Sequence, residues 1–118
     1  MKYTFYKEII NEIVTLGIMP KEKKYKILFR FGDSGWTPTK VQEIINGIEA
    51  SKEKPKGEEY IWANEDVTVY SNKNGVLLID MISQRFGIHD PDKITLTLIH
   101  EELLTFLEGF KTFVAENS

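Results

Sequence analysis

Four stretches carry residue types that chemistry uses. Gly32-Asp33-Ser34-Gly35 sets a serine beside an acid between glycines, as a nucleophile loop would. A serine nucleophile needs a histidine and an orienting carboxylate from distant loops, and 118 residues cannot build the paired β-barrels that deliver them. The stretch therefore reads as a turn rich in turn formers. His100-Glu101-Glu102 begins like a zinc-protease helix, but Leu104 stands where the second histidine must be. His89-Asp90-Pro91-Asp92 gathers three possible ligands with no fourth in view. Neither metal nor cofactor is expected, and the absence of cysteine removes thiol catalysis and zinc thiolates.

The fourth stretch is Glu58 to Asp66, with acids at Glu58, Glu59, Glu65 and Asp66, aromatics at Tyr60 and Trp62, and no base. Aromatic anchors ringed by acids suit a basic protein partner. These six residues are the candidate partner-binding site. An edge strand kept soluble by its acids is the competing account. Trp36, beside a helix start, is either a second anchor or a core residue. Asp80 interrupts an apolar strand, and a lone buried carboxylate is costly. The pattern favours an open face beside Thr68; a buried ion pair and a partner-binding acid are the alternatives.

Charge is divided along the chain. Residues 1–56 hold eleven bases against seven acids, and residues 57–118 hold four against eleven, so the halves carry +4 and −7. An acidic half steers basic partners and a basic half attracts polyanions. Lysine clusters at 21–26 and 52–56 have the charge to meet phosphates. No glycine-rich phosphate loop accompanies them, and nucleic acid is not expected as the ligand.

The elements that must position these residues centre on Asp66–Ser83. Asn74-Gly75 between apolar runs is a strong hairpin signal. A three-residue loop, Lys73-Asn74-Gly75, groups like with like: Val67 and Val69 face Met81 and Ile79, and Thr68 faces Asp80. The second strand, Val76–Ile82, reads as covered on both faces. Upstream, Phe5, Ile9, Ile13 and Leu16 predict a helix over 4–16 with Gly17 beyond its end. Lys24–Phe31 alternates as a half-buried strand. Thr37-Pro38 opens a helix carrying Val41, Ile44, Ile45 and Ile48. Ser51–Gly57 reads as a mobile loop, Glu59–Ala63 as a strand and Arg85–Asp92 as irregular. A long helix follows, capped at Thr97, with Ile99, Leu103, Phe106, Leu107, Phe110, Phe113 and Val114 on one stripe.

The whole predicts one α+β domain over residues 1–118. Its antiparallel sheet has about four strands around a central hairpin, with three helices packed on it. Neither a signal peptide nor a membrane span is read, and a cytoplasmic protein is expected.

Ile94-Thr95-Leu96-Thr97 followed by HEELLTFLEGFKTFV resembles the closing segment of small bacterial immunity proteins of contact-dependent inhibition and other polymorphic toxin systems. The resemblance implies a non-enzymatic, cytoplasmic protein that binds and neutralises one cognate toxin domain, often a nuclease. The basic first half departs from that pattern. A small cytosolic enzyme or a nucleic-acid-binding domain is the alternative.

Overall fold

Residues 3–20 form a β-hairpin where the apolar spacing predicts a helix. The computed structural model describes residues 1–117. Strands β1 (Tyr3–Ile10) and β2 (Ile13–Pro20) pair antiparallel, with Asn11 and Glu12 turning the chain at φ 51° and 69°. Two consecutive left-handed residues are the turn that matches strand twist. The segment is dense in β-branched and aromatic residues, which lose rotamer freedom in a helix and pack well on a pleat. Gly17 is no helix cap. It lies opposite Tyr6, and a Cβ there would sit 2.6 Å from the tyrosine ring.

Lys23–Phe31 is a 3₁₀-helix with a kink at Tyr25 rather than a strand. Period two would bury Tyr25, Ile27, Phe29 and Phe31. Tyr25, Leu28 and Phe31 instead recur every third residue, with Leu28 at 0% and Phe29 at 43% exposure. A two-residue strand β3 (Asp33–Ser34) then pairs with Thr15 and Leu16 of β2.

Helix α1 (Pro38–Ser51) starts as expected: Thr37 accepts a hydrogen bond from the Lys40 N–H at 3.1 Å, and Val41, Ile44, Ile45 and Ile48 are buried. Its last residue, Ser51, is buried and meets the Ser71 hydroxyl at 2.5 Å, pinning the helix end to the sheet. Strands β4 (Tyr60–Ala63), β5 (Val67–Asn72), β6 (Gly75–Asp80) and β7 (Thr95–Leu98) form an antiparallel sheet in that order. The β5–β6 hairpin is its centre, as the sequence implied, and the protein is α+β with two antiparallel sheets.

The register differs by one residue. Lys73 and Asn74 alone turn the chain, and Asn72 Oδ1 accepts from the Asn74 N–H at 2.8 Å. Val67 therefore faces Asp80, and Thr68 faces Ile79. The second strand stops at Asp80, and helix α2 (Met81–Arg85) replaces its expected end. Its outer face is only partly covered, since Leu77 stays exposed. Pro91 opens a single helical turn, α3 (Pro91–Ile94).

Thr97 lies within β7 instead of capping a helix, so α4 spans His100–Asn117 and Ile99 is exposed. Leu103, Phe106, Leu107, Phe110 and Val114 of α4 are buried. A continuous apolar core joins α1, α4, the four-stranded sheet, the 3₁₀-helix and the base of the β1–β2 hairpin. No described helix is long and apolar enough to cross a membrane.

Asp80 is inside, not on an open face. The corrected register puts it on the inner side with Leu78, where its Oδ1 accepts from Arg30 Nε at 3.1 Å and the Ser83 N–H at 3.0 Å. Its Oδ2 accepts from the Ser83 hydroxyl at 2.8 Å. Burial pushes its pKa up, but the two Ser83 donors and the Arg30 guanidinium outweigh burial and hold it below the usual value. Asp80 is thus a structural ion pair and helix cap.

Candidate protein-binding surface

Strand β4 is the sheet's edge, and its alternation sends Tyr60 and Trp62 inward and Ile61 and Ala63 outward. Trp62 stacks on Phe31 with centroids 5.6 Å apart and on Trp36 at 5.8 Å. It belongs to an aromatic layer at the rim of the core, so it is not a freely projecting anchor. Trp36 is buried, its indole N–H donating to Phe31 O at 2.8 Å. The Tyr60 ring lies directly on Gly47 of α1, in the space that a Cβ there would need. Burial raises the Tyr60 pKa, and the Glu43 carboxylate adds to the shift.

What remains open is a cleft of about 340 Å³ with Trp36, Tyr60 and Trp62 in its walls. Asp33, Ser34, Glu43 and Lys40 complete the rim. Lys40 Nζ donates to Gly35 O at 2.9 Å, so the only base of the lining is held by the backbone. Asp66 is half-buried, and its pKa is raised by burial and then by the Asp33 carboxylate, with Arg30 and Arg85 opposing.

The six sequence candidates are only partly assembled. Tyr60 and Trp62 line the cleft, and Asp66 senses Asp33 on its rim. Glu58 is exposed beyond the far end of β4, and Glu59 turns back to accept from the Gly57 N–H at 2.5 Å. The two acid pairs flank a strand about 10 Å long and cannot act at one point. Glu65 is exposed in the turn before β5. Asp33, which the sequence offered only as the acid beside Ser34, and Glu43, which no local pattern singles out, are better placed than Glu58 and Glu59.

A second feature has no counterpart among the sequence candidates. At the β1–β2 tip, Ile9, Ile10 and Ile13 are 61, 58 and 58% exposed, and Val14 is exposed beside them. Ile9 pairs with Val14 and Ile10 with Ile13, giving a ribbon apolar on both faces. Contiguous exposed apolar surface of this kind is a candidate interaction site. The tip extends directly from Thr15 and Leu16, the residues that hold Asp33 in β3. Arm and acidic cleft are therefore neighbours. The usable signal was Asn11-Glu12 between two β-branched runs.

No family model matches this chain, and neither a curated protein nor a solved structure matches it. The remaining chemical stretches have local roles. Asp90 accepts from the Asp92 N–H at 3.0 Å and starts α3. His100 Nε2 lies 2.6 Å from Asn72 O, to which it donates. Glu101 lies 3.4 Å from Lys52. Among the described residues, no group of three or more His, Asp or Glu is placed to hold a metal ion.

The close contact of Tyr60 with α1 is testable. Gly47→Ala adds about 1 kcal/mol of helix propensity in an exposed helix. Here the new methyl displaces the Tyr60 ring. The expected result is a net loss of about 1–2 kcal/mol in urea unfolding, together with an altered Tyr60 environment in near-ultraviolet circular dichroism.

Proposed function

We propose that this chain is a non-catalytic protein-binding module that holds one basic partner domain, in the manner of an immunity protein neutralising a cognate bacterial toxin. One observation carries the reading: an apolar β-ribbon projects beside a cleft with aromatic walls and the carboxylates of Asp33 and Glu43 at its rim, with Asp66 within electrostatic reach of Asp33. The ribbon supplies the desolvated anchor that interfaces concentrate their energy in. The acids supply steering and a seat for an arginine or lysine, which the aromatic walls also favour. Glu65 extends the acidic rim, while Glu58 and Glu59 add only long-range field.

The test is affinity for a basic toxin domain sought in the neighbouring reading frames. Ile10→Asp with Ile13→Asp is expected to weaken binding by about 2 kcal/mol or more. The side chains are exposed, but the two acids face each other across the ribbon, so urea unfolding of the variant is the control. Asp33→Lys with Asp66→Lys is expected to lower the association rate and its salt sensitivity. A basic partner also draws the raised Asp66 pKa back down, so binding strengthens as pH rises through that raised value. Unchanged affinity in the folded isoleucine double variant overturns the reading.

A further inference from the structure

The opposite edge of the same sheet is basic. Strand β7 ends the sheet; its Thr95 N–H is taken by Pro91 O, and no described backbone group outside the β6 ladder hydrogen-bonds to Leu96, Thr97 or Leu98. Along it runs a cleft of about 730 Å³, with Thr95, Leu96 and Thr97 on one wall and Lys23, Lys24 and Lys26 of the 3₁₀-helix on the other. Lys93 stands at its end beside Asp92, the one acid of the lining. None of these four lysines forms an ion pair among the described residues. The nearby acids are already engaged: Glu22 accepts from the Lys2 N–H at 2.7 Å, and Asp80 holds Arg30.

We propose that β7 receives an extended, carboxylate-rich segment of a partner protein as an added strand. An open edge offers main-chain donors and acceptors that an extended peptide completes. The lysines select its charge, since alternate side chains of the added strand fall beside them. The walls hold no aromatic ring on which a base could stack, so a single-stranded nucleic acid fits less well. The site is separate from the β4 cleft and the β1–β2 tip, so its fate does not depend on theirs. Charge also keeps the edges from closing on their own kind, since lysines flank β7 and acids flank β4.

The experiment uses a fluorescein-labelled peptide of about ten residues alternating glutamate and valine, followed by anisotropy. Binding is expected, with an affinity loss of about tenfold or more in Lys26→Glu with Lys93→Glu. Both lysines are exposed, and an unchanged thermal midpoint for the variant is the control. N-methylation of one alternate set of peptide amides is expected to abolish binding, while methylation of the other set leaves it intact. Three results overturn the proposal: no binding up to about 1 mM, equal binding of both N-methylated peptides, or tighter binding of an oligothymidylate of the same length.

Discussion

Replacing Phe110 by alanine is expected to cost about 3–5 kcal/mol of folding stability, more than the loss of Asp80 or of the Gly47 contact. Phe110 is fully buried, and its ring meets Trp36 edge-on at 5.3 Å, Phe106 at 6.1 Å and Phe5 at 5.6 Å. It therefore joins α4 to the loop before α1 and to the base of the β1–β2 hairpin. Truncation leaves a cavity whose walls belong to separate elements, so collapse of one cannot fill it. The lost aromatic contacts add to the loss of buried area. Urea unfolding measures the effect. Phe113, half-buried against Phe5 at 5.2 Å, is expected to cost clearly less. An unshifted midpoint for Phe110→Ala would mean that α4 does not close this core.

Asp80→Ala is expected to cost about 2–3 kcal/mol near neutral pH. Two losses combine: the cap on α2, worth about 1 kcal/mol, and the ion pair with Arg30. The pair counts for less than a fully buried one, because 27% of the Arg30 side chain is open to water and screens the charge left behind. Both losses depend on pH, since the Ser83 donors and Arg30 all favour the ionised carboxylate. Asp80 has a depressed pKa in the folded state, so its contribution is present above the unfolded aspartate value of about 3.9. It disappears as pH falls through the depressed value. The gap between wild type and Asp80→Ala, read by urea unfolding, is therefore expected to narrow on going from neutral pH to strongly acidic pH. Asp80→Asn keeps a good cap but no charge, and is expected to retain about half of the stability that alanine loses. A gap constant across pH would show that the charge of Asp80 contributes nothing to stability.

The place of Asp80 was only partly legible in the sequence. Asp80 could be read from the sequence as needing a partner, yet nothing local named Arg30, fifty residues away. A one-residue register shift decided which face the carboxylate took, because side chains alternate with period two. The choice between Lys73-Asn74 and Lys73-Asn74-Gly75 as the loop rested on the Asn72 side chain, whose hydrogen bond to Asn74 closes the shorter turn.

The sequence alone determined the elements whose signals are local and redundant. Thr37-Pro38 before a four-residue apolar spacing specified α1, the long stripe of α4 specified a buried helix, and the apolar runs around Lys73–Gly75 specified the hairpin at the sheet's centre. Each rests on capping, periodicity or turn chemistry that neighbours supply within a few residues. Tertiary structure decided the rest. Phe5, Ile9, Ile13 and Leu16 satisfy a helical stripe and a strand equally well, and burial of Phe5 against α4 with Tyr6 over Gly17 settles the matter. Lys24–Phe31 fits period two or three, and the packing of Leu28 selects three. Likewise, two acids distant in sequence, Asp33 and Asp66, came within electrostatic reach of each other only because of where β3 and the β4–β5 turn lie. Short-range signals fix where chains turn and cap; which face an ambiguous stripe presents depends on what the rest of the chain leaves to cover it.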